Sequence, residues 1–313
     1  MAGYTGIQGQ ISRNNRMSVL YLLAFPMLVL GGVYAFLYLT AGTEYEGADP
    51  AQVNEAFLSA APVVVIVVMI WFLIAYAFQS RIIEATTGSH TLERKENMRV
   101  YNLVENLCIS VGMTMPKIHV IEDQALNAFA SGLSEKSYTV TLTRGIIDRL
   151  NDDELEGVIA HELMHIRNRD VRLLVITIIF VGIFSLVAQV LFRSMLYGGG
   201  RRNKKDNKGI IVALVIAAVA YFLALLFKFG LSRKREYMAD AGAADMTKKP
   251  WALASALRKV SGNYEVKAVK GDDVKEMFFH NHPDSSSGFM SSLEGLFATH
   301  PPIEKRIRFL EQV

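Results

Sequence analysis

The chain has 313 residues, room for about two domains, with 51% hydrophobic and 20% charged residues and a formal net charge of only +3. Its mean hydropathy of +0.24 is high for a soluble protein, and its basic residues are not interleaved with stacking aromatics, so nothing marks a nucleic-acid surface. The single cysteine, Cys108, excludes an internal disulfide and a thiolate metal site.

The hydropathy is concentrated in four segments, roughly Ser18–Thr40, Ala60–Phe78, Leu173–Phe192 and Ile210–Phe227. None holds a charged side chain, and each approaches the ~20 residues that cross a hydrocarbon core. The first is too long for a secretory signal and lacks a convincing cleavage site, so it reads as a retained anchor. Between the first two lies Gly42–Glu55, with Glu44, Glu46, Asp49 and Glu55 and no basic residue. Arg13 and Arg16 precede the first segment, and Arg81, Arg94 and Lys95 follow the second. The positive-inside rule therefore places both flanks in the cytoplasm.

Val100, Val104, Leu107, Cys108 and Val111 form an apolar helical stripe, which makes Cys108 a packing residue. Lys117–Ile121 and Tyr138–Leu142 read as short strands, with Asn127-Ala-Phe129 between them. His90 and His119 are then a loop and a strand histidine.

Asn151–Asp170 reads as one helix. Asn151 with Glu154 makes a capping box, Asp152 and Asp153 suit the positive N-terminal end, and Leu155, Val158, Ile159 and Ile166 give a core-facing stripe. Within it His161-Glu-Leu-Met-His165 spells H-E-x-x-H. Two histidines four apart share one helix face, so both rings reach a single Zn²⁺. Glu162 between them is placed to take a proton from a water activated by the metal.

The second pair of apolar segments brackets Arg193–Gly209, which carries Arg193, Arg201, Arg202, Lys204, Lys205 and Lys208 against Asp206. Two crossings would put this basic loop outside, against the positive-inside rule. Either the first hairpin sets the orientation, or the second enters the bilayer without traversing it, or it is a soluble hairpin. Gly198-Gly199-Gly200 reads as a flexible tip.

A hydrolytic zinc site needs a third protein ligand and an open position. Asn168 and Val171 stand where the metzincin pattern requires glycine and histidine, which removes that solution. His90, His119, His280, His282, His300 and several carboxylates remain, and Glu236 is the strongest of them. Glu236 and Asp240 are four apart in a helix-like stretch rich in small residues (Ala239, Ala241, Gly242, Ala243, Ala244). One carboxylate can bind zinc while the other accepts a hydrogen bond from a ligand histidine.

His161-Glu-Leu-Met-His165-Ile-Arg-Asn-Arg-Asp170, two apolar segments, and Ser232-Arg-Lys-Arg-Glu236-Tyr-Met-Ala-Asp240 together resemble the HtpX family of membrane zinc proteases, relatives of the CAAX prenyl endopeptidases with the gluzincin ligand plan. Gly112–Val120, Asn127–Gly132 and Thr299-His300-Pro301-Pro302 match too, whereas Gly262–Gly288, with His280 and His282, matches nothing in the pattern.

The resemblance implies a mainly α-helical integral membrane protein of four apolar helices, with a cytoplasmic α+β zincin-like catalytic domain holding a small sheet. Residues 1–80 would form a membrane hairpin, 81–170 the first catalytic part, 171–230 the second apolar hairpin and 231–313 the part with the third ligand. One Zn²⁺ per chain on His161, His165 and Glu236, with Glu162 as base and Asp240 behind a ligand, would cleave peptide bonds. The substrates would be proteins or peptides at the bilayer of the cell membrane, above all damaged or misfolded membrane proteins. In this family a strand like that at Asn127 and Phe129 borders the cleft and pairs with substrate. His300 either stabilises the oxyanion or packs in the turn before a terminal helix Ile303–Gln312, the second role being preferred. The competing readings are a CAAX-type processing endopeptidase and a non-catalytic membrane scaffold or metal sensor. A transporter is disfavoured, because the apolar segments carry no charge to line an ion path.

Overall fold

The structure is a computed structural model and describes residues 7–41, 49–197, 204–229, 234–261 and 301–313. The glycine tip at 198–200, His280, His282 and His300 lie outside the described residues, as do Glu44 and Glu46 of the acidic loop. Two compact units emerge, one from the described residues of 1–16, 78–175 and 229–313 and the other from 17–77 and 176–228.

The second unit holds residues 17–77 and 176–228, the greater part of four long apolar helices: α1 (Ile7–Ala41), α2 (Pro50–Thr87), α6 (Asp170–Tyr197) and α7 (Lys204–Phe229), each continuous beyond its apolar stretch. Ile11–Ala41, Pro50–Thr87 and Asp170–Val190 are long and apolar enough to cross a membrane. Helix α7 covers the whole of the expected fourth segment Ile210–Phe227, and Gly209–Leu223 is its apolar stretch among the residues whose side chains are described. Leu23, Met27, Val63, Val67 and Leu73 are each more than half exposed, a display of apolar surface that water would penalise and lipid accepts. Inside the unit, Phe25 stacks on Phe180 at 3.9 Å between ring centroids, and Phe184 closes on Phe25 at 5.0 Å.

The first unit is a helical layer on a four-stranded sheet. The strands β1 (His90–Thr91), β2 (Lys117–Ile121), β3 (Ala128–Ser131) and β4 (Thr139–Thr143) are ordered β1-β2-β4-β3. β2 and β4 are parallel, with His119 opposite Thr141, and the two edge strands run antiparallel to them. The fourth strand lies one residue later than its alternation suggested, starting where Thr139 pairs with Lys117. His90 is not in a loop: it pairs with Val120 in the short edge strand.

The helices of this unit are α3 (Met98–Ser110), α4 (Arg144–Arg149), α5 (Asp152–Arg167), α8 (Lys234–Thr247), α9 (Pro250–Val260) and α10 (Ile303–Leu310). Cys108 is buried on α3, and burial pushes its thiol up to about 11. Helix α5 is central, packing on β3, β4, α3, α8 and α9. Its start is fixed as the sequence suggested: Asn151 Oδ1 accepts from the Glu154 N–H, and Glu154 Oε2 accepts from the Asn151 N–H. Glu154 is buried and also accepts from Ser255 Oγ and Lys259 Nζ, which ties α5 to α9.

Helix α5 ends earlier than the expected Asp170. Asn168 caps it, Arg169 takes φ 60°, and Asp170 opens α6. A left-handed residue breaks the i→i−4 hydrogen-bond ladder and turns the chain sharply, at a cost for a side chain with a Cβ. That turn aims the Asp170 carboxylate back at α5.

Candidate metal centre

Helix α5 presents His161, Glu162 and His165 from its buried face, and all three are largely or wholly shielded from solvent. Helix α8 brings Glu236 and Asp240 against them, one turn apart on one face. The approach is close because α8 is lined with small residues: Ala239 and Ala243 are fully buried, and a Cβ at Gly242 would lie 2.3 Å from Met164 Cε. The small-residue run in the sequence thus corresponds to a tight helix crossing beside His165.

Three donor groups converge. The Nε2 atoms of His161 and His165 are 3.1 Å apart; Glu236 Oε1 is 3.5 Å from His165 Nε2, and its Oε2 is 3.7 Å from His161 Nε2. Among the described residues, these three side chains form a cluster able to hold a metal ion. His90 and His119 lie elsewhere, on β1 and β2, where His119 Nε2 is 3.3 Å from Thr91 Oγ1.

Each histidine is held at its other ring nitrogen. His161 Nδ1 is 2.9 Å from Asp240 Oδ1, and His165 Nδ1 is 3.1 Å from Asp170 Oδ2. A carboxylate there accepts from Nδ1–H and so leaves Nε2 unprotonated and able to bind a cation. The sequence pointed to Asp240 but not to Asp170, which a continuous helix to residue 170 would have directed away from His165.

The sequence also passed over Arg306. It is 1% exposed, on the buried stripe of α10 between Ile303 and Leu310. Its Nε and Nη2 donate to Asp240 Oδ2 and Oδ1 at 2.9 and 2.7 Å, a bidentate fork, and Nη1 lies 3.6 Å from Glu236 Oε2. Burial favours the neutral guanidine, but the field of Asp240, its hydrogen bonds, Glu236 and Glu162 hold Arg306 charged well above its ordinary range. Burial likewise pushes the Asp240 carboxyl up, and Arg306 with the His161 hydrogen bond more than reverses that, keeping it ionised. An arginine at i+3 and i−4 from the apolar residues of a short amphipathic helix was the available signal.

Asn127 and Phe129 are buried, as is the whole of β3. Asn127 binds the end of β4: its N–H donates to Thr143 Oγ1 and its carbonyl accepts from Thr143 N. Phe129 is wholly buried, so its side chain packs in the interior.

An H-E-x-x-H helix packed on a small mixed sheet, with a carboxylate supplied by another helix, is the layout of a metallopeptidase. The model of peptidase family M48 matches residues 94–313. The protease HtpX homolog of Bacteroides fragilis strain YCH46 is 54% identical over 319 residues, covering 99% of each chain. That of Dictyoglomus thermophilum is 43% identical over 253 residues, covering 80% of this chain and 82% of its own. The crystal structure of S. mikatae Ste24p aligns with TM-score 0.47 at 18% identity, covering 95% of this chain and 66% of that one. The chain belongs to peptidase family M48, as an HtpX-type membrane protease.

Proposed function

We propose that the chain is a zinc-dependent endopeptidase in which His161, His165 and Glu236 hold one Zn²⁺ and Glu162 is the general base. The observation that carries this reading is the donor triangle. Tetrahedral zinc with bonds of about 2.0–2.2 Å sets its donors about 3.3–3.6 Å apart; the two Nε2 atoms are 3.1 Å apart, and the Glu236 carboxylate meets them at 3.5 Å through Oε1, to His165, and at 3.7 Å through Oε2, to His161. Charge supports it as well. Glu162, Glu236, Asp240 and Asp170 face Arg306 and Arg235, whose Nη1 is 3.7 Å from Asp170 Oδ1. The four carboxylates outnumber the two guanidinium groups, so the cluster favours a cation between the histidines.

Zinc, when bound, lowers the pKa of water towards neutrality and polarises a peptide carbonyl. Glu162 takes the proton from the attacking water and delivers it to the departing amine. Asp240 and Asp170 fix the tautomers of His161 and His165, and Arg306 fixes Asp240. Asn127 supports the cleft by anchoring β3 to β4, with Phe129 as packing beneath the strand edge that extended substrate would join.

The substrates we propose are membrane proteins, with clearance of damaged ones as the biological role, an expectation that follows from the family resemblance and the apolar helices. The flanking Arg13, Arg16, Arg81, Arg94 and Lys95 support a catalytic unit facing the cytoplasm at the cell membrane. Purified full-length protein is expected to carry zinc at one per chain and to cleave an unfolded test protein. Chelation abolishes cleavage and added Zn²⁺ restores it; cleavage that persists in metal-free protein would overturn the reading.

A further inference from the structure

The support of His165 does not stop at Asp170. Asn14, on the first turns of α1, is 3% exposed, and its Nδ2 donates to Asp170 Oδ1 at 2.6 Å and to the Asn168 carbonyl at 2.8 Å. Both amide hydrogens therefore go to acceptors on the α5–α6 turn. The flipped amide would put its oxygen against a carboxylate and a carbonyl, so the orientation is set by chemistry. The next residue, Asn15, accepts from Arg169 Nη1 at 3.0 Å, so the same turn of α1 also binds the left-handed residue between the two helices. Asn14 and Asn15 precede the stretch matched to the peptidase family, which begins at residue 94.

We propose that Asn14 is a positioning residue of the metal centre. Its amide fixes the Asp170 carboxylate so that Oδ2 accepts from His165 Nδ1–H and Nε2 is left to bind the metal. Among the described residues, Asp170 is otherwise approached by Arg235, at 3.7 Å from Oδ1, a longer and less directional contact than the Asn14 hydrogen bond. The N-terminal helix is then part of the catalytic apparatus as well as an anchor: the relay Asn14–Asp170–His165 connects it to a ligand over more than 150 residues of sequence.

This inference rests on the zinc reading, and one experiment separates the two. Zinc affinity is measured by competition with a chromophoric chelator, on the full chain in detergent, for wild type, Asn14→Ala, Asn14→Asp and Asn15→Ala. Loss of partners behind a ligating histidine weakens metal binding about 10–100-fold. Asn14→Ala is expected near the lower end of that range. Asn14→Asp keeps the shape of the side chain but, ionised, donates nothing and repels Asp170; it is expected to lose at least as much. Asn15→Ala, which loosens the same turn without touching Asp170, is expected to keep wild-type affinity. Wild-type affinity in both Asn14 variants, or an equal loss in Asn15→Ala, would overturn the relay. A wild-type protein that takes up no zinc would instead overturn the metal reading itself.

Discussion

Glu162→Gln is expected to reduce kcat/KM for an unfolded protein substrate by about 10²–10⁴-fold, the range for loss of a positioned general base, while zinc stays at one per chain. Glu162 is 3% exposed and lies between the two histidines on α5. Glutamine keeps its size and can still accept a hydrogen bond from water, but it cannot take up the proton, so binding survives and turnover does not. A KM close to wild type alongside the fallen kcat would mark loss of chemistry rather than of fold. A variant that cleaves at the wild-type rate would remove Glu162 from the mechanism. A variant that loses zinc would make it a structural member of the cluster.

Arg306→Ala is expected to be the most destabilising single change around the site. It removes the hydrogen bonds to Asp240 from Arg306 Nε and Nη2 and, among the described residues, leaves that fully buried carboxylate with the His161 contact. Breaking a buried ion pair from one side costs about 3–5 kcal/mol, because the other charge stays in a poorly solvating interior. Adding Asp240→Asn to Arg306→Ala is expected to return part of that loss, since the orphaned charge is gone, and a double-mutant cycle reads the coupling directly. Thermal unfolding of metal-free protein in detergent separates this effect from zinc binding. Additive losses would show that Arg306 and Asp240 contribute independently despite their bidentate geometry.

The parts of the site that follow local periodicity were legible in the sequence. Histidines four apart, a capping box and a carboxylate pair at i and i+4 are helix-surface facts, and α5 and α8 present them as such. What depended on a backbone exception was not. Arg169 at φ 60° is no glycine, so nothing in the letters announced that α5 stops and Asp170 turns back to His165. What depended on distant chain segments was equally hidden. Arg306 stands among Lys305 and Arg308 on a short helix and looks like one more solvated charge, yet it is wholly buried where α10 meets α8. Asn14 lies 156 residues from its partner Asp170, in the short flank before the first apolar segment, where Arg13 and Arg16 signal only the cytoplasmic side. The apolar helices show the same division: their composition identified them, while their ends, such as α2 starting at Pro50, did not follow from hydropathy.

A zinc ion held by two imidazoles and one carboxylate has its own spectroscopic signature. X-ray absorption at the zinc edge of the full-length protein tests for it most directly. The expected spectrum has four light-atom neighbours at about 2.0–2.2 Å, with the outer-shell scattering of two imidazole rings and no sulfur. Glu236→Ala should remove a neighbour or the metal. A third imidazole, or a sulfur neighbour at about 2.3 Å, would contradict the assignment of Glu236 and with it the account of the site.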